Sequence, residues 1–183
     1  MNKFSAAIKF GSIWGVASII FNLSIYIFTG KIESHPVVSF LIFAAGIAVM
    51  YFIGVARRTE AGGYIEWKEA MTHIWVGAMI SSVLTIIFTF IMYNYIAPEL
   101  IDQIKELQIE MLEKFRSTIG DAKTDAEIEK LENSNPFSLF NTLLMIGGSI
   151  LIQFLVSCLV ALAVKKKNPN EFFNTPTDRV DPF

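Results

Sequence analysis

The sequence predicts an all-α integral membrane protein: a four-helix bundle with an extracytoplasmic amphipathic helical arm between its third and fourth spans. Apolar residues make up 53% of the 183 residues and charged residues only 17%, whereas soluble domains average about 25% charged. The charges are clustered, and four long uncharged stretches separate the clusters. A bilayer core is crossed by roughly 20 apolar residues in a helix. Since backbone groups in lipid must be hydrogen-bonded within the segment, each stretch predicts a membrane helix.

The four predicted spans are 10–28, 37–56, 71–97 and 137–164. Prolines and basic residues mark their limits: the second ends before Arg57, the third ends at Pro98, and the fourth lies between Pro136 and Lys165. Residues 1–167 are therefore assigned to the transmembrane domain. The remaining segment, 168–183, has proline breaks and no hydrophobic periodicity, which predicts a flexible cytoplasmic tail.

The distribution of lysine and arginine predicts the orientation. One side of the membrane receives both termini and the 57–70 loop, with nine basic and six acidic residues; the other receives six basic and eleven acidic residues. Cytoplasmic segments near span ends are enriched in Lys and Arg. Both termini are therefore expected in the cytoplasm, and the 98–135 loop is expected outside.

The outer loop, 98–135, predicts two helices. A helix from Pro98 carries apolar residues at three- and four-residue spacing and ends at Gly120. A second is predicted from Asp125 to Glu132, with Thr124 as N-cap and Glu127 completing a capping box. This arm either binds a partner or a second copy, or packs on the bundle or the membrane surface.

The inner loop, 57–70, predicts a turn followed by a short interfacial helix. Gly62-Gly63 marks the turn, and Trp67 falls on an aromatic face that leads into the third span. The segment is interpreted either as a cytoplasmic docking or gating element, or as a structural hairpin anchored by Trp67.

Four sequence motifs, taken together, are distinctive enough to compare with known families. They are Lys9 to Gly11, Gly62-Gly63-Tyr64-Ile65 with Trp67 and Ala70, Tyr93-x-Tyr95-Ile96-x-Pro98-Glu99, and a last span that ends in a lysine cluster. With these motifs the chain resembles a bacterial membrane family of unknown function, DUF family 4199, over nearly its whole length. The resemblance implies the inner membrane of a bacterium, typically one of the Bacteroidota. It implies no activity and no functional residue.

The interior of the spans has uncharged polar residues but no Asp, Glu, Lys or Arg at mid-membrane. Two sets share helical faces: Ser82, Thr85 and Thr89 in the third span, and Ser149, Gln153 and Ser157 in the fourth. They either line a path or site for a small ligand, or form interhelical hydrogen bonds. The side-chain amide of Gln153 in particular requires a hydrogen-bond partner. Small-residue pairs that favour close helix contact occur at Gly11-x-x-x-Gly15, Ala44-x-x-x-Ala48, Gly77-x-x-x-Ser81 and Gly147-Gly148.

No metal-binding, nucleotide-binding or nucleophile motif is present. His73, near the inner end of the third span, either titrates functionally or is an interfacial polar residue. We therefore expect no enzymatic activity, no cofactor and no nucleic-acid partner. The leading hypothesis is an accessory, assembly or envelope component that acts through a membrane protein partner or as a homo-oligomer. The alternative is an oligomeric channel or carrier for a small neutral solute, since the absent charges argue against ion-coupled transport.

Overall fold

The computed structural model describes residues 3–30 and 36–168, and this part of the chain is almost entirely helical. Four helical segments are long and apolar enough to cross a membrane, which confirms the predicted fold class. The tail beyond residue 168 lies outside the described residues. The elements in order are α1 Ser5–Thr29, α2 Pro36–Glu60, α3 Trp67–Ile91, a π-helix Met92–Ile96, α4 Leu100–Lys114, α5 Arg116–Ile119, α6 Asp121–Glu132 and α7 Leu139–Val164.

The first three membrane helices begin before their predicted spans, whereas α7 begins at Leu139, two residues inside its span. α1 begins at Ser5 rather than at residue 10, and α2 continues past residue 56 through Arg57 and Arg58 to Glu60. Hydropathy marks where the lipid ends, whereas the helix ends where the backbone turns. Arg and Glu are good helix formers, and basic residues in the last turn are favoured by the helix dipole.

α3 is the helix on which the bundle is assembled. α1 and α7 pack on it most extensively, and α2 contacts α1, α3 and α7. The core is concentrated where both described ends of the chain meet the turn between α2 and α3; this is the termini end, and the opposite end is the arm end. Ile53, Ile74 and Val164 are almost completely buried there.

The crossing of α1 and α3 is close enough to require glycine. A Cβ added at Gly11 would collide with the carbonyl oxygen of Gly77, and one at Gly15 would lie 3.3 Å from the Cα of Ser81. The Gly-x-x-x-Gly motif of α1 therefore meets the Gly-x-x-x-Ser motif of α3. Lipid supplies no hydrophobic drive for helix association, so such close packing is a main source of attraction.

The other small-residue motifs do not make contacts of this kind. Ala44 and Ala48 are exposed on α2, and a Cβ at Gly147 or Gly148 would have nothing within 4 Å. Only two of the four candidate motifs thus pack tightly.

The arm begins at the bundle and then folds on itself. Leu100 is fully buried near Met92 and Ala97, and beyond this first turn the extensive contacts of α4 are with α5 and α6. Lys105 Nζ donates to the carbonyl oxygen of Glu132 at 2.8 Å, which joins α4 to the end of α6. The arm is therefore a helical hairpin.

Three details of the predicted arm are wrong. The single helix predicted from Pro98 to Gly120 is interrupted at Phe115, which separates α4 from α5. The second helix begins at Asp121 rather than Asp125, and its N-cap is Gly120, which has a φ of 94°. Thr124 lies inside the helix, where its hydroxyl donates to the Gly120 carbonyl at 3.0 Å. Glycine already supplies the left-handed turn, so the helix starts directly after it, and neither Thr124 nor Glu127 forms the predicted capping box.

We predict that Gly11→Ala destabilises the bundle by about 1–3 kcal/mol, because the new methyl group forces α1 and α3 apart. Gly147→Ala is the matched control, since its methyl group enters open space. The measurement is unfolding of the purified variants by SDS titration in mild detergent, followed by circular dichroism. Equal midpoints for the two variants would contradict the α1–α3 crossing described above.

Candidate functional site

A central cavity of about 450 Å³ lies among α1, α2, α3 and α7. Every polar side chain that lines it is uncharged, in agreement with the sequence of the spans. These side chains are Trp14, Ser18, Asn22, Ser81, Ser82, Thr85, Ser149 and Gln153. Such a lining provides hydrogen bonds without fixed charge, which suits a neutral molecule.

The Gln153 amide is the central polar contact of the cavity. Its Nε2 donates to Ser82 Oγ on α3 at 2.8 Å, so the partner that the sequence required is a serine of the neighbouring helix. Trp14 also lines the cavity, and its indole nitrogen has no hydrogen bond among the described residues. The cavity therefore has hydrogen-bonding capacity that the protein does not use.

The predicted polar faces converge only in part. Thr85 and Ser149 line the cavity, whereas Thr89 and Ser157 do not. Ser157 is fully buried, and its Oγ makes no hydrogen bond within the described part of the chain. The distance along α7 explains this outcome: Ser149 and Ser157 are separated by about 12 Å of helix rise, and the packed core of the termini end begins before Ser157.

The cavity borders the surrounding lipid. Phe43 and Ile152 belong to its lining, yet they are 59% and 64% exposed on the outer surface of the bundle. Among residues 37–60 of α2 the buried side chains are Met50 and Ile53, toward the termini end, while residues nearer the arm end are exposed or half-buried. The helices thus pack tightly at one end and leave space in the middle.

The turn between α2 and α3 contains the predicted loop element. Gly62 and Gly63 have φ values of 83° and 93°, and the Gly63 amide donates to the Arg58 carbonyl at 2.9 Å, which ends α2. This confirms the turn. Trp67 is the first residue of α3, and its indole Nε1 donates to the Cys158 carbonyl of α7 at 3.1 Å.

The short helix predicted before the third span begins at Trp67, as the first turn of α3, and not directly after the glycine turn. Residues 64–66 are extended, and Ile65 forms two backbone hydrogen bonds of 3.0 Å with Lys166. This pairing provides hydrogen-bond partners for the backbone amide and carbonyl of Lys166, just after α7 ends. Because it joins two segments that are 101 positions apart, no local periodicity indicates it.

Further polar contacts tie the termini end together. Arg57 donates from Nε and Nη2 to the same oxygen of Glu69, at 3.0 and 2.7 Å. His73 is almost completely buried, and its two ring nitrogens lie 2.8 and 3.0 Å from the carbonyl oxygens of Glu69 and Lys3. His73 is therefore a buried residue that joins α3 to the N-terminal segment.

An asparagine network at the arm end was not predicted as a unit. Asn94 Nδ2, in the π-helix, donates to the carbonyl of Phe137 at 2.9 Å, and Asn135 donates to Asn94 Oδ1 at 3.3 Å. Asn141 donates to the Asn135 carbonyl at 2.8 Å. Two features of the sequence could have indicated this network: Asn94, within the aromatic end of the third span, and Asn135, directly before Pro136.

Fold and cavity define a class: a polytopic α-helical membrane protein with an uncharged interior. Among residues 3–30 and 36–168, no group of three potential metal ligands is present. The chain belongs to the family described as Protein of unknown function (DUF4199), whose profile matches residues 9–166. This confirms the resemblance noted in the sequence. No curated protein and no solved structure matches the chain.

Proposed function

We propose that this protein is a non-enzymatic membrane component that acts through protein–protein interaction, as an accessory subunit, assembly factor or envelope component, and that the arm binds the partner. The supporting observation is an apolar surface on α4, on α5 and on Phe115 between them, which the hairpin leaves uncovered. Leu107, Met111, Phe115 and Ile119 recur at four-residue spacing and are 38%, 61%, 55% and 37% exposed. We call these four residues the arm stripe. Exposed apolar patches of this kind commonly mark interaction sites.

The charge of the arm favours a protein over a lipid surface as the partner. Residues 98–135 contain ten acidic and five basic residues, and an acidic segment is repelled by anionic headgroups. Arg116 donates to Glu113 and Asp125, at 2.6 and 2.8 Å, and so lies between α4 and α6. The hydrogen bond from Arg116 lowers the pKa of Glu113. The arm stripe is therefore held on a braced, negatively charged hairpin, which fits a partner with an apolar centre and a basic rim.

The double variant Met111→Ser/Phe115→Ser should lose the partner, because it removes the two most exposed side chains of the arm stripe. The measurement is affinity purification of the tagged full chain from native membranes in mild detergent, with mass spectrometry of the co-purifying proteins. The matched control is Ala126→Ser, an exposed change on α6. A stoichiometric companion that is retained by the control and lost by the double variant supports the proposal. A companion that is retained by both, or a clean homo-oligomer, would overturn it.

We further propose a bacterial inner-membrane location with both termini in the cytoplasm. The lysine and arginine bias toward the termini end supports this orientation. Green fluorescent protein fused after residue 168 should be fluorescent, and alkaline phosphatase inserted at Gly120 should be active, because the first reporter folds in the cytoplasm and the second outside it. The reverse pair of results would overturn the orientation.

A second candidate function is an oligomeric channel or carrier for a small neutral solute, which the central cavity favours. Purified protein in liposomes should then accelerate glycerol or urea flux, measured by stopped-flow light scattering. Gln153→Leu should lower this flux by about tenfold, since it removes the hydrogen bond to Ser82 and a polar group of the lining. Gln108→Leu is the same chemical change on the exposed arm and should have no effect. Liposomes with wild-type protein that are no more permeable than empty ones would exclude this function.

A further inference from the structure

A second concave surface lies at the termini end, where the turn before α3 meets the segment after α7. It is an open groove with a volume of about 900 Å³. We call it the lysine groove; its principal side chains are Tyr64, Trp67, Lys68, Lys165, Lys166 and Lys167. Neither the partner-binding proposal nor the central cavity involves this surface.

The groove has a defined shape because its two walls are joined. Ile65 and Lys166 exchange two backbone hydrogen bonds of 3.0 Å, and the Lys166 ammonium lies 5.5 Å from the centre of the Tyr64 ring. Trp67 is fixed to α7 through its bond to the Cys158 carbonyl. The lysines therefore extend from a braced corner rather than from a free tail.

The groove has an excess of positive charge. Its lining contains four lysines and two carboxylates, those of Glu66 and Glu69. Glu69 is already engaged by Arg57 at 2.7 Å, which leaves Glu66. Within residues 3–30 and 36–168, none of the four lysines takes part in an ion pair. The positive-inside rule requires only basic residues on one side; it does not require that they converge on one groove.

We propose that the lysine groove binds the phosphate of an anionic phospholipid headgroup. It lies where the crossing helices end, at the level of the headgroups, and its Tyr and Trp are the residues that favour this interface. α7 ends at the groove, and Leu155, Leu159 and Leu162 of this helix are 63%, 68% and 50% exposed. Lysine clusters beside membrane helices attract anionic lipid, and the exposed leucines provide contact for an acyl chain. A soluble phosphate compound would use the lysines but not the leucines.

The test uses the full chain in neutral detergent, with lipid retention measured by native mass spectrometry. Phosphatidylglycerol should bind better than phosphatidylcholine. Lys165→Gln/Lys167→Gln, which changes two exposed side chains, should weaken phosphatidylglycerol binding by about thirtyfold, which corresponds to about 1 kcal/mol per lysine. Lys9→Gln/Lys123→Gln is the control with the same change in charge. It changes one lysine near the termini end and one on the arm, and neither lines the groove.

Each outcome decides the proposal. Loss of phosphatidylglycerol in the groove variant alone supports it. Equal loss in both variants would show that charge in general attracts the lipid, and equal retention of the two lipids by the wild type would show no preference; either result overturns the site. Inorganic phosphate that replaces chloride at constant ionic strength should leave lipid retention unchanged. Complete displacement by phosphate would overturn the lipid as the ligand in favour of a soluble phosphate compound.

Discussion

The close approach of α1 to α3 at Gly11 and Gly77 is the contact on which the rest of the bundle depends. Inside lipid, apolar side chains gain little by leaving one apolar environment for another, so helix association depends on contact distance and on polar pairs. Glycine allows the two backbones to touch. α3 then becomes a central support, with α7 packed along it as well, and α2 contacts the other three.

The central cavity is a consequence of the same packing. Small residues lie at the α1–α3 crossing, and the core side chains fill the termini end, but among the described residues no comparable contact draws the arm-end half of α2 inward. Space therefore remains around mid-membrane, and a long polar side chain that faces it can pair across it. The hydrogen bond from Gln153 to Ser82 is such a pair. The buried hydroxyl of Ser157 has no hydrogen-bond partner in the described part of the chain, which indicates that packing, rather than hydrogen bonding, determines the position of that turn of α7.

The sequence predicted the features that depend on composition and on hydrophobic periodicity. These are the four membrane helices, the uncharged interior, the glycine turn at Gly62-Gly63 and the helical arm. It did not predict features that depend on distant segments. Nothing near Ile65 indicates that Lys166 will pair with it, and nothing near Ser157 separates it from Ser149 as a cavity residue. Small-residue motifs look alike in sequence, yet only those of α1 and α3 are at a tight crossing. Helix ends were also missed, because hydropathy reports the lipid boundary and not the backbone turn.

The two ends of the bundle expose different kinds of side chain, apolar ones at the arm end and lysines at the termini end. This difference argues that the functional sites lie on the surface of the bundle. At the arm end several charges are paired within the hairpin, as Arg116 is with Glu113 and Asp125, and the uncovered surface is apolar. At the termini end the core is well packed, and the uncompensated feature is the charge of the lysine groove. The arm stripe and the lysine groove lie at opposite ends of the bundle, and the ligands proposed for them are a protein and an anionic lipid. Both can therefore be occupied at once, so lipid bound at one end is compatible with a partner bound at the other.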